Sequence, residues 1–333
     1  MGPRSVAFLL ASTLAVGCRA AHPAGRASAP ARLAAPPDGP TLMFVSVASD
    51  DTFKHVLLGP LAAPGTSAFV TPLVCERVYY ARSRGLCLAE APAADLPVSI
   101  WAQVFDERFE RRQRFPLTGL PSRLRLSPDG RRAAATLFSS GHSYNVRGFA
   151  TTTTIFDLEA GTIAVPNLEE FTVSRDGAVF KKVDFNFWGV TFTRDGDTFY
   201  ATLSSGGHNY LVQGSVDGRT AKVIHEAVEC PSLSPDGAHI AFKKRIGGAS
   251  GWWQLTVLDL QTYVEKPLWN ESRSVDDQVE WLDDTHVMYH LTGASTAADI
   301  WSASIDGKTA PILVLAAAYS PAVLRDARVL TQR

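Results

Sequence analysis

Short runs in which apolar and polar residues alternate recur along the chain, as in Leu124-Arg125-Leu126 and again over residues 132–138. A period of two marks strands with one buried face. Between those two runs stands Ser127-Pro128-Asp129-Gly130, and the same four letters return as Ser234-Pro235-Asp236-Gly237. Looser copies are Ser174-Arg175-Asp176-Gly177 and Thr193-Arg194-Asp195-Gly196. Each reads as a tight turn, with a hydroxyl at its first position and a Gly free to take positive φ at its fourth. A strand–turn–strand unit returning roughly every 40 to 60 residues is the mark of a β-propeller.

Five units of four strands can be written between residues 74 and 315. Two strands remain at the C-terminus, 322–324 and 328–330, and two at the N-terminus, 42–45 and 55–58. Joined, they complete a further blade and remove the open edges of the ring. The fold class is therefore all-β: a single propeller of six four-stranded blades, closed by N- and C-terminal strands sharing one blade. Residues 171–184 break the pattern and read as an inserted hairpin. Residues 135–144 also align without gaps on 201–210, which places His142 and Tyr144 in positions equivalent to His208 and Tyr210 on the neighbouring blade.

The N-terminus carries a different pattern. Arg4, an apolar run over residues 6–16 and Gly17-Cys18 form a targeting segment over residues 1–18, too short to span a bilayer as a mature helix. Small residues before a Cys resemble a bacterial lipobox, with Cys18 the lipidated residue; an ordinary secretory signal cut near position 20 is the alternative. Residues 19–40, rich in Ala and Pro, read as an unstructured tether to a propeller over residues 41–333. Cys75 and Cys87 flank a short strand pair turning at residues 81–84, and in an oxidising compartment they are expected to form a disulfide. Cys230 has no evident partner and reads as a buried core residue.

Composition narrows the function classes. Hydrophobic residues make up 46% and charged residues 20% of the 333, which supports a substantial core. The formal net charge of −1 gives no electrostatic case for nucleic acid. The mixed-sign run over residues 108–114 reads as a solvated outer strand.

The repeated Ser-Pro-Asp-Gly turns, Val257-Leu258-Asp259-Leu260, and Trp301-Ser302-Ala303 with Asp306-Gly307 resemble the repeats of TolB-type propellers. Residues 185–192, 229–237 and 273–284 are similar to the TolB-like extracytoplasmic propeller proteins of high-GC bacteria, and the resemblance covers roughly residues 41–325. It implies fold and compartment and supplies no catalytic residue. TolB itself has an α/β domain ahead of the propeller, which is not read here.

No catalytic motif stands out. Residues 248–251, Gly-Ala-Ser-Gly, fail the G-x-S-x-G spacing because Trp252 occupies the last position. There is no H-E-x-x-H, no Cys-x-x-Cys and no glycine-rich phosphate loop. Candidates come instead from the face shared by the loops before each first strand and between second and third strands. His142, Tyr144, His208, Tyr210, Glu229, Asp276, Asp277 and Arg123 belong there, with Asp184 and Asn186. An acidic mouth with two imidazoles suits a basic peptide, a sugar or a metal ion. No cofactor is expected, a divalent metal being the one the mouth would accommodate. The reading is a monomeric, lipid-anchored binding or scaffold protein outside the cytoplasm, engaging an envelope protein or peptide and touching the membrane through its lipid alone. The alternatives are a metal-assisted hydrolase or lyase and a small-ligand sensor.

Overall fold

The Ser-Pro-Asp-Gly segments carry their own hydrogen-bond programme in the computed structural model, which describes residues 30–145, 148–247, 251–292 and 298–325. Ser127 Oγ donates to Asp129 Oδ1 at 2.5 Å and accepts the Arg132 N–H at 2.8 Å, while Gly130 takes a φ of 73°. Ser234 and Asp236 repeat these bonds, and Thr193 Oγ1 donates to Asp195 at 2.7 Å. All three turns join the first strand of a blade to its second. The looser copy at Ser174 is the turn of an added hairpin instead, with Arg175 paired to Ala178.

The strands form six sheets arranged as a propeller. The first blade comprises Arg77–Ala81, Arg84–Glu90, Ile100–Asp106 and Arg111–Leu117; the second, Leu120–Leu126, Arg132–Ser140, Ala150–Asp157 and Thr162–Val165. The third contains Asn186–Phe192, Thr198–Ser205, His208–Ser215 and Thr220–Glu226. The fourth contains Glu229–Leu233, His239–Ile246, Trp252–Asp259 and Glu265–Pro267, and the fifth Glu280–Trp281, His286–Thr292, Ala298–Ser304 and Ile312–Leu315. The inserted hairpin, Thr172–Arg175 and Ala178–Phe180, extends the third blade to six strands by pairing parallel to Thr220–Glu226.

Both ends of the chain build the closing blade, but in a different ratio from the two-plus-two expectation. One C-terminal strand, Ala318–Leu324, is innermost, and Thr41–Ser46, His55–Pro60 and Ser67–Val74 lie outside it in order. Residue 74 therefore ends the closing blade rather than beginning the first. The expected second C-terminal strand, 328–330, lies outside the described residues, as do Cys18, residues 19–29 and residues 248–250. The expected tether also stops short of residue 40: Ala31–Arg32 pairs parallel with Ser67–Ala68. An open sheet edge supplies partners for its backbone groups, which outweighs its apolar-poor composition.

The first strands pack each on the next around the axis until the ring closes. Their Ser-Pro-Asp-Gly-type turns interlock too. Arg194 donates to Pro235 O at 3.0 Å, the Asp236 N–H donates to Asp284 at 3.0 Å, and Gly130 lies directly against Ala81. Between blades, side chains such as Phe105, Phe187, Phe199 and Phe242 are fully buried. Each contributes on the order of 1.5–3 kcal/mol relative to exposure. Cys75 is bonded to Cys87, with Cα atoms 5.5 Å apart; Cys87 pairs across the sheet with Val78, and Cys75 stands just before that strand.

Two glycine substitutions separate the turn's own demand from its packing. At Gly237, φ is +79° with nothing within 4 Å of an added Cβ, whereas at Gly130 the Cβ would meet Ala81 O at 2.7 Å. Gly237→Ala is expected to cost about 1–2 kcal/mol in urea unfolding from the left-handed conformation alone. Gly130→Ala is expected to cost at least about 1 kcal/mol more, because backbone must shift. Equal losses would mean the turns do not stitch the blades together.

Candidate functional site

The first strand of the second blade alternates Arg with Leu, and the arginines face the axis while Leu124 and Leu126 enter the core between blades. Directly across the ring, residues 268–279 lead into the fifth blade and bring Asp276, Asp277 and Gln278 to the centre. Arg123 Nη2 lies 3.0 Å from Asp276 Oδ1 and 3.3 Å from the Asp276 carbonyl. Its Nε is 3.4 Å from Cys230 Sγ.

Lys243 joins them from the second strand of the fourth blade. Its Nζ is 2.5 Å from Asp276 Oδ1, 4.2 Å from the centre of the Tyr144 ring and 4.0 Å from that of Trp253. The side chain has no solvent exposure at all, so the cation depends on these partners for what water would otherwise supply. Glu229 accepts from Trp253 Nε1 at 3.2 Å and from Arg245 Nε at 3.4 Å. Arg245 also donates to Tyr144 O at 3.0 Å and to Asn145 Oδ1 at 3.1 Å, so the fourth blade grips a loop of the second.

Tyr144 sits in that loop, between Ser140 and Ala150, and is turned inward. Its hydroxyl is 2.7 Å from Ser122 Oγ, and its ring covers Arg123 at 5.0 Å and packs on Trp188 at 5.3 Å. Burial drives its phenol well above the ordinary tyrosine range. Tyr210, aligned with it by sequence, is elsewhere. It lies within a regular third strand, where its hydroxyl accepts from Arg175 at 3.0 Å and its ring meets Phe180 edge-on. The equivalence fails because the third blade turns in two residues, Gly206 and Gly207, where the second spends the longer loop.

Five of the sequence candidates therefore converge: Arg123, Tyr144, Glu229, Asp276 and Asp277. His142 is exposed on the rim of the same recess, while exposed His208 opens an outer strand with Tyr210. Asp184 and Asn186 brace loops, through Ser205 and Gly206 for the first and Thr151 for the second. The residues missed were Lys243, Arg245, Trp253 and His290. No signal singled out Lys243, which stands in the run Lys243-Lys244-Arg245 and reads by sequence as part of a solvated strand end.

Above this floor lies a recess of about 640 Å³ on the loop face, lined among others by Glu76, Arg77, Glu90, His142, Asp276 and His290. Its carboxylates are engaged. Asp276 serves Lys243 and Arg123, and Asp277 lies 2.8 Å from His290 Nδ1 while accepting the Gln278 and His290 N–H groups. Burial raises the Cys230 thiol against the pull of Lys243 and Arg123, so it is held protonated. Among the described residues no three His, Cys, Asp or Glu side chains are grouped to hold a metal. The arrangement offers a shaped, polar-rimmed surface over a floor of paired charges, and among the described residues lining it no nucleophile is paired with a base.

Below the floor the channel is filled. Arg125 pairs with Glu280, Tyr79 donates to the same carboxylate at 2.9 Å, and Gln278 bridges Val190 O and Pro231 O at 2.9 and 2.8 Å. Burial, more than the adjacent Glu280, pushes the Tyr79 phenol up to about 12.

No family model matches the sequence, and neither does any curated protein. Solved structures do match in fold. TolB from Acinetobacter baumannii superposes with a TM-score of 0.58 at 16% identity, covering 87% of this chain and 68% of that one. A chain of the nidogen–laminin complex gives 0.56 at 11% identity, over 89% of this chain and 100% of that one. The hydrazine synthase of Kuenenia stuttgartiensis gives 0.50 at 14%, over 87% and 80%. The TolB-like propeller fold is thus shared by proteins of quite different activity.

Asp277 makes acid stability a probe of the floor. Burial alone would raise its carboxyl, yet His290 and Arg123 overcome that and hold it well below the usual carboxylate range. With the folded value depressed, its contribution is complete above the unfolded value of about 4 and disappears as pH falls through the folded one. Asp277→Asn is expected to lower stability at pH 7 and to flatten the decline below about pH 4 in urea titrations. An acid decline as steep as the parent's would refute this assignment.

Proposed function

We propose that this TolB-like propeller is a lipid-anchored, extracytoplasmic binding module whose loop face engages an envelope protein or peptide. The observation that carries the reading is the loop-face recess with its floor already neutralised. Its ionisable groups hold one another in place rather than standing free for chemistry, so what it offers a partner is shape, an aromatic and charged rim, and rigidity. Around the rim Arg77 stands beside Glu76 and Glu90, which share Lys54, so a partner meets charges of both signs already held in place.

The path of the chain supports the same reading. Ala31 pairs with Ser67, at the end of the closing blade that lies on the side of the Ser-Pro-Asp-Gly turns. A lipid at Cys18 would thus pull from the turn side and leave the recess open to the other. The nidogen–laminin complex contains a chain of this fold in a protein assembly, and docking of a protein partner is a use the fold accommodates. The metal-assisted alternative finds no specific support, since Asp276 and Glu229 are engaged by cations of the chain and Asp277 by His290.

Two measurements test the two halves of the reading. Cys18→Ser is expected to move the protein from the membrane pellet to the soluble fraction; retention in the pellet would contradict the anchor. A photocrosslinking residue at His142 is expected to give discrete protein adducts in intact cells, and the same probe at Asp195 on the turn side none. Adducts from Asp195 alone, or from neither, would remove the loop face as the docking surface.

A further inference from the structure

The opposite face holds a second recess, about 470 Å³, around the axis where first-to-second-strand turns meet the end of the closing blade's inner strand. Its lining is basic. Arg82, Arg125, Arg194 and Arg325 line it against Asp236 and Glu280, a formal excess of two positive charges on a chain whose total is −1. The two carboxylates are already committed. Glu280 is bound to Arg125, and Asp236 accepts Ser234 Oγ at 2.5 Å and the Ala238 N–H at 2.9 Å within its own turn.

The outer arginines have neutral partners. Arg194 donates to Pro235 O at 3.0 Å, and Arg325 to Trp281 O and Leu282 O at 2.6 and 3.2 Å. Among the described residues neither these two nor Arg82 forms an ion pair with a carboxylate. Three exposed guanidiniums, from the first, third and closing blades, therefore surround one opening without an ion pair among the described residues. Beneath them Leu126, Leu233 and Val323 with the Tyr200 ring form an apolar part of the wall, beside Thr191, Ser232 and the Arg125–Glu280 pair. A guanidinium fork matches a phosphoryl group in geometry as well as sign. The volume falls in the range of small-molecule sites and exceeds what a bare anion fills.

We propose that this turn-face recess is an anion site for a phosphoryl group carried on an apolar body, gripped by Arg82, Arg194 and Arg325. The site is independent of the loop-face docking reading. A phospholipid headgroup and a free phosphate compound share the chemistry, and three probes distinguish them: inorganic phosphate, glycerol phosphate, and dihexanoyl-phosphatidylglycerol below its micelle concentration. Dihexanoyl-phosphatidylcholine, which carries no net charge, is the control.

Calorimetry on the purified full chain is expected to show the anionic probes binding and the zwitterionic one not. Arg194→Ala should weaken binding about tenfold, Arg82→Asn with Arg194→Ala by more, and Arg194→Lys by less than Arg194→Ala. Arg111→Ala, on an exposed outer strand, should leave it unchanged. Tighter binding of the lipid than of the two soluble phosphates supports the proposal and assigns a headgroup; tighter binding of glycerol phosphate than of the lipid assigns a free phosphate compound; equal binding of inorganic phosphate and the lipid overturns the apolar-body assignment. Absence of binding by every anionic probe up to about 10 mM overturns it. So does binding by the double variant equal to the parent's, or equal loss in Arg111→Ala.

Discussion

A single carboxylate at the axis organises this ring. Glu280, from the shortest first strand, is buried and takes Arg125 from the blade directly opposite, the Tyr79 hydroxyl from the first blade, and the Val323 N–H from the closing blade. A carboxylate withdrawn from water is tolerated only when its lone pairs are filled this completely. Those partners arrive from three separate sheets, so the charge is satisfied only in the closed ring. One turn of strand higher, Arg123 and Asp276 repeat the link between the same opposing blades. The propeller is thus held twice across its diameter as well as around its rim.

Those axial pairs stand between the two faces of the molecule. On one side lies a recess of paired charges floored by a caged lysine and framed by loops; on the other, a basic recess framed by tight turns. The aromatic residues follow the same division. Tyr144, Trp188 and Trp253 shield Lys243 beneath the loop face, while Tyr79 and Trp281 close the channel from below. Fold likeness to TolB says nothing about which face is used, since the likeness rests on the blades common to both.

The architecture was legible because its determinants are local. A Ser, an Asp two residues on and a following Gly fix a turn through bonds spanning five residues, and each such turn announces a strand on either side. Blade count followed from their spacing. The closing blade was misdivided because Ser320-Pro321 interrupts the apolar pattern of residues 318–324; a positive φ at Ser320 absorbs the irregularity and the strand continues. At the site, Asp276, Asp277 and Arg123 could be found from their place at the start of blades. Tyr144 was found for a reason that does not hold, since its motif twin Tyr210 went to an outer strand once the loop lengths differed. Lys243 and Arg245 were out of reach, because their role depends on which side chains cross the axis, and no sequence period reports that.

The seam also sets a condition on folding. Three strands of the closing blade lie near one end of the propeller sequence, and the strand that must fit between them and the axis, Ala318–Leu324, is separated from them by more than 240 residues. Until that strand docks, Leu42 and Met43 lack their partners at the edge and Glu280 lacks one of its donors. The long-range pairing of two distant segments is therefore the step that seals the wheel, and contacts so far apart in sequence are slow to form.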